Sequence, residues 1–446
     1  MTPEEIESAV EAGMPRAVED LTRLAAIPSV AFPGHPDEPV LAAAALTEEL
    51  LREAGLPHVR QIPVEGSFPA VYAEAPAPPG APTVLLYAHY DVQPAGDLAL
   101  WRTPPFEPTL IDGALYGRGT ADDKSGVIAH VAALRAFGGD FPVGVKVIVE
   151  GQEEYAGERL EDFVEANPEL VRADAIVVAD CGNPRVGDPA LTTTLRGMAA
   201  FTVEVRTLRE AVHSGAFGGA APDALTALMR MLSALHDERG DVRVPGLPQG
   251  TFEGDSDETE EEFRATAGVL DGVSLVGSGS LADRLCASYA ITVTGLDVPT
   301  VSGAVNAVQP TARARVTVRI PPGGDPKTAL DDVTGFLQKV APWGAEVTFD
   351  DLVTGSGFLA GGGGRARAAV STAMERAFGR PPRDVGQGGS IPLVAKLAAL
   401  FPEAEILLYG AEDGEASIHA PNERLVVEEL RKVIATEALF LASYGA

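Results

Sequence analysis

Short apolar runs rich in β-branched residues alternate with helical patterns in this chain, and this alternation constrains the fold more than any other feature. The runs lie at 83–88, 143–149 and 175–179, with a late fourth at 406–409. A helical pattern at 126–137 lies between two of them. Strands that alternate with helices predict an α/β layer with a largely parallel sheet.

Two helical patterns come before these strands. Apolar residues recur at helical spacing from Thr2 to about residue 26, where Thr2 is a candidate N-cap and Pro3 a candidate first helical residue. A second helix is predicted near 42–54, and it should stop at Gly55.

The middle of the chain has a different pattern. Residues 201–205, 289–294 and 313–320 alternate apolar with polar side chains, as half-buried strands do. Helical patterns at 221–236 and 326–340 follow them. We therefore expect a separate α+β module inserted into the first domain.

The predicted first domain contains residues 1–190 and 355–446, and the predicted inserted domain contains residues 191–354. The glycine run Gly361–Gly364 falls where the chain returns to the first domain. It lacks G-x-G-x-x-G spacing after a strand, so we interpret it as a flexible joint and not as a nucleotide site.

Acidic and histidine residues follow three successive predicted strands. They are His89 and Asp91 after the first, Glu150, Glu153 and Glu154 after the second, and Asp180 after the third. In an open α/β sheet, ligands bind outside the carboxyl ends of the strands. The pattern therefore predicts a site at this edge of the sheet.

Two further motifs carry residues of the same kinds. The segment Gly117–Lys124 presents Asp122 and Asp123 just before a helix, and the segment Ser417–Glu423 contains His419. Either aspartate could instead serve as a helix N-cap. Histidine nitrogen mixed with carboxylate oxygen suits zinc, and also manganese or cobalt.

Charge and cysteine content exclude several classes of function. The formal net charge is −30, from 64 acidic and 34 basic residues, which disfavours nucleic acid and anionic membrane as partners. The two cysteines, Cys181 and Cys286, form no C-x-x-C pattern and predict a reducing compartment. With no signal-peptide pattern and no apolar run near ~18 residues, we expect a cytoplasmic protein.

Taken together, these motifs resemble metallopeptidase family 20. The strings His89-Tyr90-Asp91-Val92-Gln93-Pro94, Gly117–Lys124 and Gly388-Gly389-Ser390-Ile391-Pro392 are most similar to the cytosolic non-specific dipeptidase and carnosinase-like branch. The resemblance covers nearly the whole chain. It implies metal-dependent hydrolysis of dipeptides, or of small peptide-like amides with a free terminal carboxylate, by a water molecule that two metal ions activate.

The resemblance also implies roles for individual residues. His89 and Asp180 would bind one ion, Glu154 and His419 the other, and Asp122 would bridge both. Two Zn²⁺ ions per subunit are expected, with Mn²⁺ or Co²⁺ possible. Asp91 would hold the His89 ring, Glu153 would be the general base, and the Asp122–Asp123 peptide bond would be cis.

The resemblance implies that the first domain is the catalytic, metal-binding domain and that the inserted domain is a lid or dimerisation domain. By resemblance, His213 would stabilise the oxyanion from the lid of the partner subunit, which requires a homodimer. Asn306 and Arg319, with Gly389 and Ser390, would bind the substrate and its carboxylate. One departure is Gln387, where this branch usually has glutamate, and it leaves open whether a free or an acylated amino end is preferred.

Two other functions remain compatible with the sequence. An N-acyl-amino-acid deacylase or carboxypeptidase of the same family would use the same metals with a different acyl pocket. The other alternative is an inactive metal-binding assembly protein on the same fold; loss of Glu153 or of a ligand would favour it, and the chain keeps them all.

Overall fold

The computed structural model describes residues 1–155, 159–256, 258–389 and 391–446. The α-helices are α1 (Pro3–Ala25), α2 (Asp37–Glu53), α3 (Lys124–Arg135), α4 (Arg159–Ala166), α5 (Pro168–Val171), α6 (Ser214–Phe217), α7 (Ala224–Ser233), α8 (Glu260–Thr266), α9 (Pro326–Val340), α10 (Arg365–Phe378), α11 (Pro392–Leu400) and α12 (Val427–Tyr444). Within the described ranges, no helix is both long and apolar enough to span a membrane.

The β-strands are β1 (His58–Ile62), β2 (Ala70–Ala75), β3 (Thr83–His89), β4 (Thr109–Ile111), β5 (Ala114–Tyr116), β6 (Gly144–Glu150), β7 (Ala175–Val178), β8 (Gly182–Asn183), β9 (Ala190–Leu195), β10 (Gly197–Arg206), β11 (Val212–His213), β12 (Ala290–Asp297), β13 (Ala307–Val308), β14 (Thr311–Ile320), β15 (Glu346–Gly355), β16 (Phe358–Leu359), β17 (Arg383–Gln387), β18 (Glu405–Leu408), β19 (Glu412–Asp413) and β20 (Arg424–Val426).

The chain divides into two compact units. The first contains residues 1–193, 360–385 and 396–446, and the second contains residues 194–359 and 386–395. The structure thus groups 386–395 with the second unit, whereas the predicted catalytic domain ran unbroken from 355 to 446. The assignment of the second unit to a lid or to dimerisation stays a prediction.

A mixed sheet forms the centre of the first unit, in the order β1-β2-β6-β3-β7-β18-β9. Its middle strands β6, β3, β7 and β18 are parallel to their neighbours in that group. The side chains of β6, β3 and β7 are almost all buried, which explains why these strands appear in the sequence as continuous apolar runs. The carboxyl ends of these four strands meet at one edge of the sheet.

Helices α1, α3, α10 and α12 pack together beside this sheet. Thr2 and Glu5 form a capping box at the start of α1, with Pro3 as its first residue, as predicted. From Lys124 to Val131 every residue of α3 is buried, so this helix lies inside the unit. The ammonium group of Lys124 donates to the carbonyls of Leu24 and Ile27, at 3.0 and 2.8 Å.

The second unit is an α+β module. Its antiparallel sheet has the order β12-β14-β10-β15, and α7 and α9 pack against it. Apolar side chains from the sheet and both helices form a separate core, which includes Phe201, Val316, Leu228 and Val333. The predicted mixed α/β fold with an inserted α+β module is confirmed.

The start of α2 differs from its prediction. The helix begins at Asp37, where the apolar pattern had indicated a start near residue 42. Pro36 stands at the N-cap, and the acidic residues Asp37 and Glu38 lie in the first turn, where the helix dipole favours negative charge. These polar residues extend the helix beyond its apolar pattern.

Candidate metal centre

His89 is the last residue of β3 and is fully buried. Its Nδ1 lies 3.1 Å from the main-chain oxygen of Asp91 and 3.3 Å from a carboxylate oxygen of the same residue. Its Nε2 lies 3.1 Å from Asp122 Oδ1 and 3.7 Å from Asp180 Oδ1. One ring nitrogen is thus anchored, while the other faces two carboxylates.

The two carboxylate oxygens of Asp122 face different histidines. Oδ1 is the oxygen near His89, and Oδ2 lies 2.9 Å from Nε2 of His419. The same His419 nitrogen is 3.0 Å from a carboxylate oxygen of Glu154. Asp122 therefore belongs at once to a group with His89 and to a group with Glu154 and His419.

Asp91 also holds the turn after β6. Its two carboxylate oxygens accept hydrogen bonds from the main-chain N–H groups of Glu153 and Glu154, at 3.0 and 3.1 Å. The side chain of Gln93 donates to the Glu154 carboxylate at 2.8 Å. Asp91 thus orients the His89 ring and fixes both glutamates, and Gln93 is a contact that sequence reasoning missed.

Asp123 is the helix N-cap that the sequence left open. One of its oxygens accepts from the N–H of Gly126 at the start of α3, and the other accepts from the N–H of His89 at 3.1 Å. The peptide bond between Asp122 and Asp123 is cis, as the resemblance implied. The adjacent aspartates therefore have different roles: Asp123 accepts hydrogen bonds from main-chain N–H groups, and Asp122 faces both histidines.

A buried ion pair joins the segments that carry Asp122 and His419. The Arg118 guanidinium lies 2.6 Å from Glu423 Oε2, and both side chains are at most 2% exposed. Glu423 Oε1 accepts from the N–H groups of Ala121 and Asp122, at 3.0 and 3.2 Å. Arg118 also donates to the carbonyl of Ala420, at 3.3 Å. This pair, here called the Arg118–Glu423 clamp, ties the two segments together, and the sequence alone did not indicate it.

Burial and crowding of negative charge shift the pKa values of these groups. Burial raises the pKa of Glu153 well above its usual range, and the charge of Asp180 adds to the effect. Burial likewise raises the pKa of Glu154. The hydrogen bonds that His419 forms with Asp122 and Glu154 raise the pKa of His419 to about 10. The site thus holds more negative charge than its own histidines balance.

This donor set fits divalent cations. Three groups of side chains bring ligand atoms within 4.8 Å of one another: His89 with Asp123 and Asp180, Asp122 with Glu154 and His419, and Asp122 with Asp180 and Glu412. Buried carboxylates in such numbers need positive charge nearby to remain ionised. Imidazole nitrogen mixed with carboxylate oxygen is a common ligand set for zinc and for other first-row transition metals.

Glu412 is a carboxylate of this site that sequence reasoning missed. It is buried, and burial raises its pKa well above the usual range, with the charges of Asp122 and Asp180 adding to the effect. It comes shortly after β18, the fourth parallel strand. The rule that selected the acids after β3, β6 and β7 therefore would have found it.

The remaining predicted site residues lie in the second unit. His213 is exposed at the N-terminus of α6, and its Nδ1 accepts from the N–H of Ala216 at 3.2 Å. The carbonyl of Asn306 accepts from the N–H of Ser214 at 2.9 Å, so His213 and Asn306 lie on neighbouring segments. Arg319 is half-buried in β14, and burial lowers its pKa. Gly389 is exposed, and Ser390 lies outside the described residues.

Two histidines and a set of carboxylates meet at the carboxyl ends of the parallel strands and in the segments beside them, an arrangement typical of the metal-dependent hydrolases of α/β type. The sequence profile of peptidase family M20/M25/M40 matches residues 85–443. The chain therefore belongs to this family of metallopeptidases, and the predicted family and enzyme class are confirmed.

Individual relatives agree with this assignment. The chain is 40% identical to the cysteinylglycine-S-conjugate dipeptidase of Corynebacterium striatum, over 93% of this chain and 92% of the relative. It is 29% identical to the Cys-Gly metallodipeptidase dug1 of Schizosaccharomyces pombe, over 82% and 80% of the two chains. The fold is similar to that of human carnosine dipeptidase 1, with a TM-score of 0.83 at 24% identity and coverage of 100% and 99%. The predicted likeness to the dipeptidase branch is confirmed.

Proposed function

We propose that the protein is a two-metal dipeptidase that hydrolyses dipeptides, or closely similar small amides, with a free terminal carboxylate. The observation that carries the proposal is the position of Asp122, whose two oxygens face His89 and His419 separately. A carboxylate shared in this way suits two metal ions about 3.5–4 Å apart, the usual arrangement in aminopeptidases.

The proposed ligands follow this geometry. His89 and Asp180 would hold one ion, Glu154 and His419 the other, and Asp122 both. We propose zinc as the metal, and manganese and cobalt accept the same ligands. Two such cations would lower the pKa of a water molecule and polarise the scissile carbonyl.

Glu153 is the proposed general base. It comes directly before the proposed ligand Glu154, and Asp91 fixes the main chain of both. Its carboxylate would take a proton from the attacking water while the water oxygen bonds to the carbonyl carbon. The same proton would then pass to the leaving amine nitrogen as the amide bond breaks.

His213 is the proposed donor to the oxyanion. Because its Nδ1 accepts a hydrogen bond from Ala216, the neutral ring carries its proton on Nε2, where it can be donated. A donor aimed at the developing negative charge stabilises the transition state. We propose that His213 acts across a homodimer, on the active centre of the partner subunit.

The proposed substrate contacts come from Arg319, Asn306, Gly389 and Ser390. A guanidinium suits a terminal carboxylate because two parallel hydrogen bonds match its geometry. The names of the two sequence relatives point to cysteinylglycine and its S-conjugates as substrates. Both cysteines of the chain are free and buried, which supports a reducing, cytoplasmic location.

A hydrolysis screen tests the proposed activity. Cysteinylglycine, other dipeptides, and N-acetyl and N-succinyl amino acids are offered to the protein loaded with zinc or with manganese. We expect dipeptides to be hydrolysed fastest. Hydrolysis of the N-acyl amino acids alone would replace this proposal with an N-acyl-amino-acid deacylase, and Gln387 would then be the first residue to examine.

The shared site has its own test. A Glu153→Gln protein and a His213→Ala protein should each be inactive, and mixing them so that subunits exchange should restore activity. One site of each heterodimer would then have both residues intact. If the mixture stays inactive while mass measurement confirms heterodimers, His213 acts within its own chain or not at all.

A further inference from the structure

Besides the half-buried Arg319, the second unit contains a buried arginine, Arg196. It forms no ion pair with a carboxylate of the described residues. Its side chain is 8% exposed. Its Nε donates to the carbonyl of Gly388 at 3.3 Å, and its Nη1 donates to the carbonyl of Arg284 at 3.4 Å. Uncharged carbonyls only partly offset the desolvation of a guanidinium, so this position favours a further, anionic partner.

Arg319 lies close to this buried cation. Arg196 directly precedes β10, and in that strand Met198 pairs with Arg319 of β14. Burial and, to a smaller extent, the positive charge of Arg319 together lower the pKa of Arg196 to about 10. Two neighbouring guanidinium groups repel each other, in a chain with a net charge of −30, and an anion bound beside them would relieve that repulsion.

The glycine-containing segment 386–389 packs closely against Arg196 and Thr194. A Cβ atom at Gly388 would lie 2.8 Å from Nη2 of Arg196, and a Cβ atom at Gly386 would lie 2.6 Å from Oγ1 of Thr194. Glycine at position 388 lets the main chain approach the guanidinium this closely without displacing the end of the arginine side chain. The segment therefore fixes the Arg196 side chain through a carbonyl and lies close to its Nη2 group.

We propose that Arg196 and Arg319 together bind a carboxylate, and that on the proposed dipeptidase activity this is the free C-terminal carboxylate of the substrate. Guanidinium groups bind carboxylates through paired, charge-assisted hydrogen bonds. Arg196 is then a specificity-determining residue, which favours a peptide acid over the corresponding peptide amide.

A purely structural role for Arg196 makes a different prediction. If Arg196 only fastens segment 386–389 to the start of β10, its loss would affect acid and amide substrates by the same factor. If Arg196 binds the carboxylate, its loss would instead slow hydrolysis of the acid substrate alone, because the amide has no negative charge for the guanidinium to bind.

The experiment compares cysteinylglycine with cysteinylglycinamide. In Arg196→Met we expect kcat/KM for the acid to fall about 10- to 100-fold, the usual effect of losing a hydrogen bond between charged groups, while the amide changes little. Arg196→Lys keeps the positive charge but not the planar guanidinium. Its kcat/KM for the acid should lie between the values of the wild type and of Arg196→Met. Arg284→Met is the matched control, since Arg284 contacts Arg196 only through its main-chain carbonyl and should keep the acid preference.

Equilibrium binding of glycine and glycinamide gives a second measurement that needs no turnover. Glycine should bind the wild-type protein more tightly than glycinamide does, and Arg196→Met should reduce this difference because only Arg319 then remains. Equal losses for both substrates, or an unchanged preference in Arg196→Met and Arg196→Lys, would overturn the proposal. A wild-type protein that binds glycine selectively through Arg196 but hydrolyses no dipeptide would overturn the proposed function and leave the carboxylate site standing.

Discussion

Replacing Glu423 with alanine should weaken both the stability of the protein and its affinity for metal. Glu423 is fully buried and pairs with Arg118 at 2.6 Å. It also accepts hydrogen bonds from the main-chain N–H groups of Ala121 and Asp122. The change leaves a buried guanidinium without its carboxylate. Removing one partner of a buried ion pair destabilises a protein by about 3–5 kcal/mol.

The second effect passes through Asp122. Because Glu423 holds the main-chain N–H of this proposed bridging ligand, its loss frees the Asp122 carboxylate from its position between His89 and His419. Removing a group that orients a metal ligand typically lowers metal affinity about 10- to 100-fold. Urea unfolding measures the stability, and competition with a chelator of known affinity measures the metal binding.

Asp20→Ala is the matched control. Asp20 is also buried and pairs with Arg135 at 2.6 Å, but it links α1 to α3 and contacts none of the proposed ligands. It should lower stability while leaving metal affinity unchanged. If Glu423→Ala binds metal as tightly as the wild type, the Arg118–Glu423 clamp does not position Asp122, and this part of the reasoning fails.

Three further predictions concern other buried groups. Glu153→Gln should keep its metal, measured by elemental analysis, while turnover falls at least about 100-fold; activity within tenfold of the parent would remove Glu153 as the general base. Asp122→Ala should lose metal from both positions, and one ion retained at full occupancy would argue against bridging. His130 is paired with Glu437 at 2.8 Å. Burial lowers the pKa of His130, but Glu437 outweighs burial and the net pKa is raised. The stability difference between the wild type and Glu437→Gln should therefore be largest below about pH 6.5 and shrink as the pH rises through the raised pKa. Urea unfolding at several pH values measures it, and a difference that grows with pH would refute it.

Much of the site could be predicted from the sequence because it follows one rule of sheet topology. Strands β3, β6 and β7 are buried on both faces, so they appear as continuous apolar runs, and their ends could be located within about a residue. The polar residues after them then had to meet at one edge. The same rule, applied to β18, would have included Glu412.

Contacts between distant segments could not be predicted in this way. Arg118 meets Glu423 because β5 pairs with β20, and these short strands have no periodic pattern of their own. Two strands at sheet edges, β1 and β15, were missed for a related reason. The exposed polar residues of β1 and β15 are compatible with loops, and only pairing with β2 and β10 makes them strands.

Arg196 has a sequence context that conceals its role. Nothing in the string Thr194-Leu195-Arg196-Gly197 distinguishes it from a surface arginine. Its burial depends on segment 386–389, which is distant in sequence and approaches closely because it contains glycines. The glycines were recognised as a motif, but the side chain that they enclose required the structure.

The central claim is that two metal ions held by the Asp122 site enable the chain to hydrolyse dipeptides. The direct measurement adds zinc stepwise to metal-free protein and follows the hydrolysis of cysteinylglycine. We predict no hydrolysis without metal, and activity that rises until about two ions per chain are bound, as the bridged site requires. Full activity in the metal-free protein, or a plateau at one ion per chain, would contradict the account.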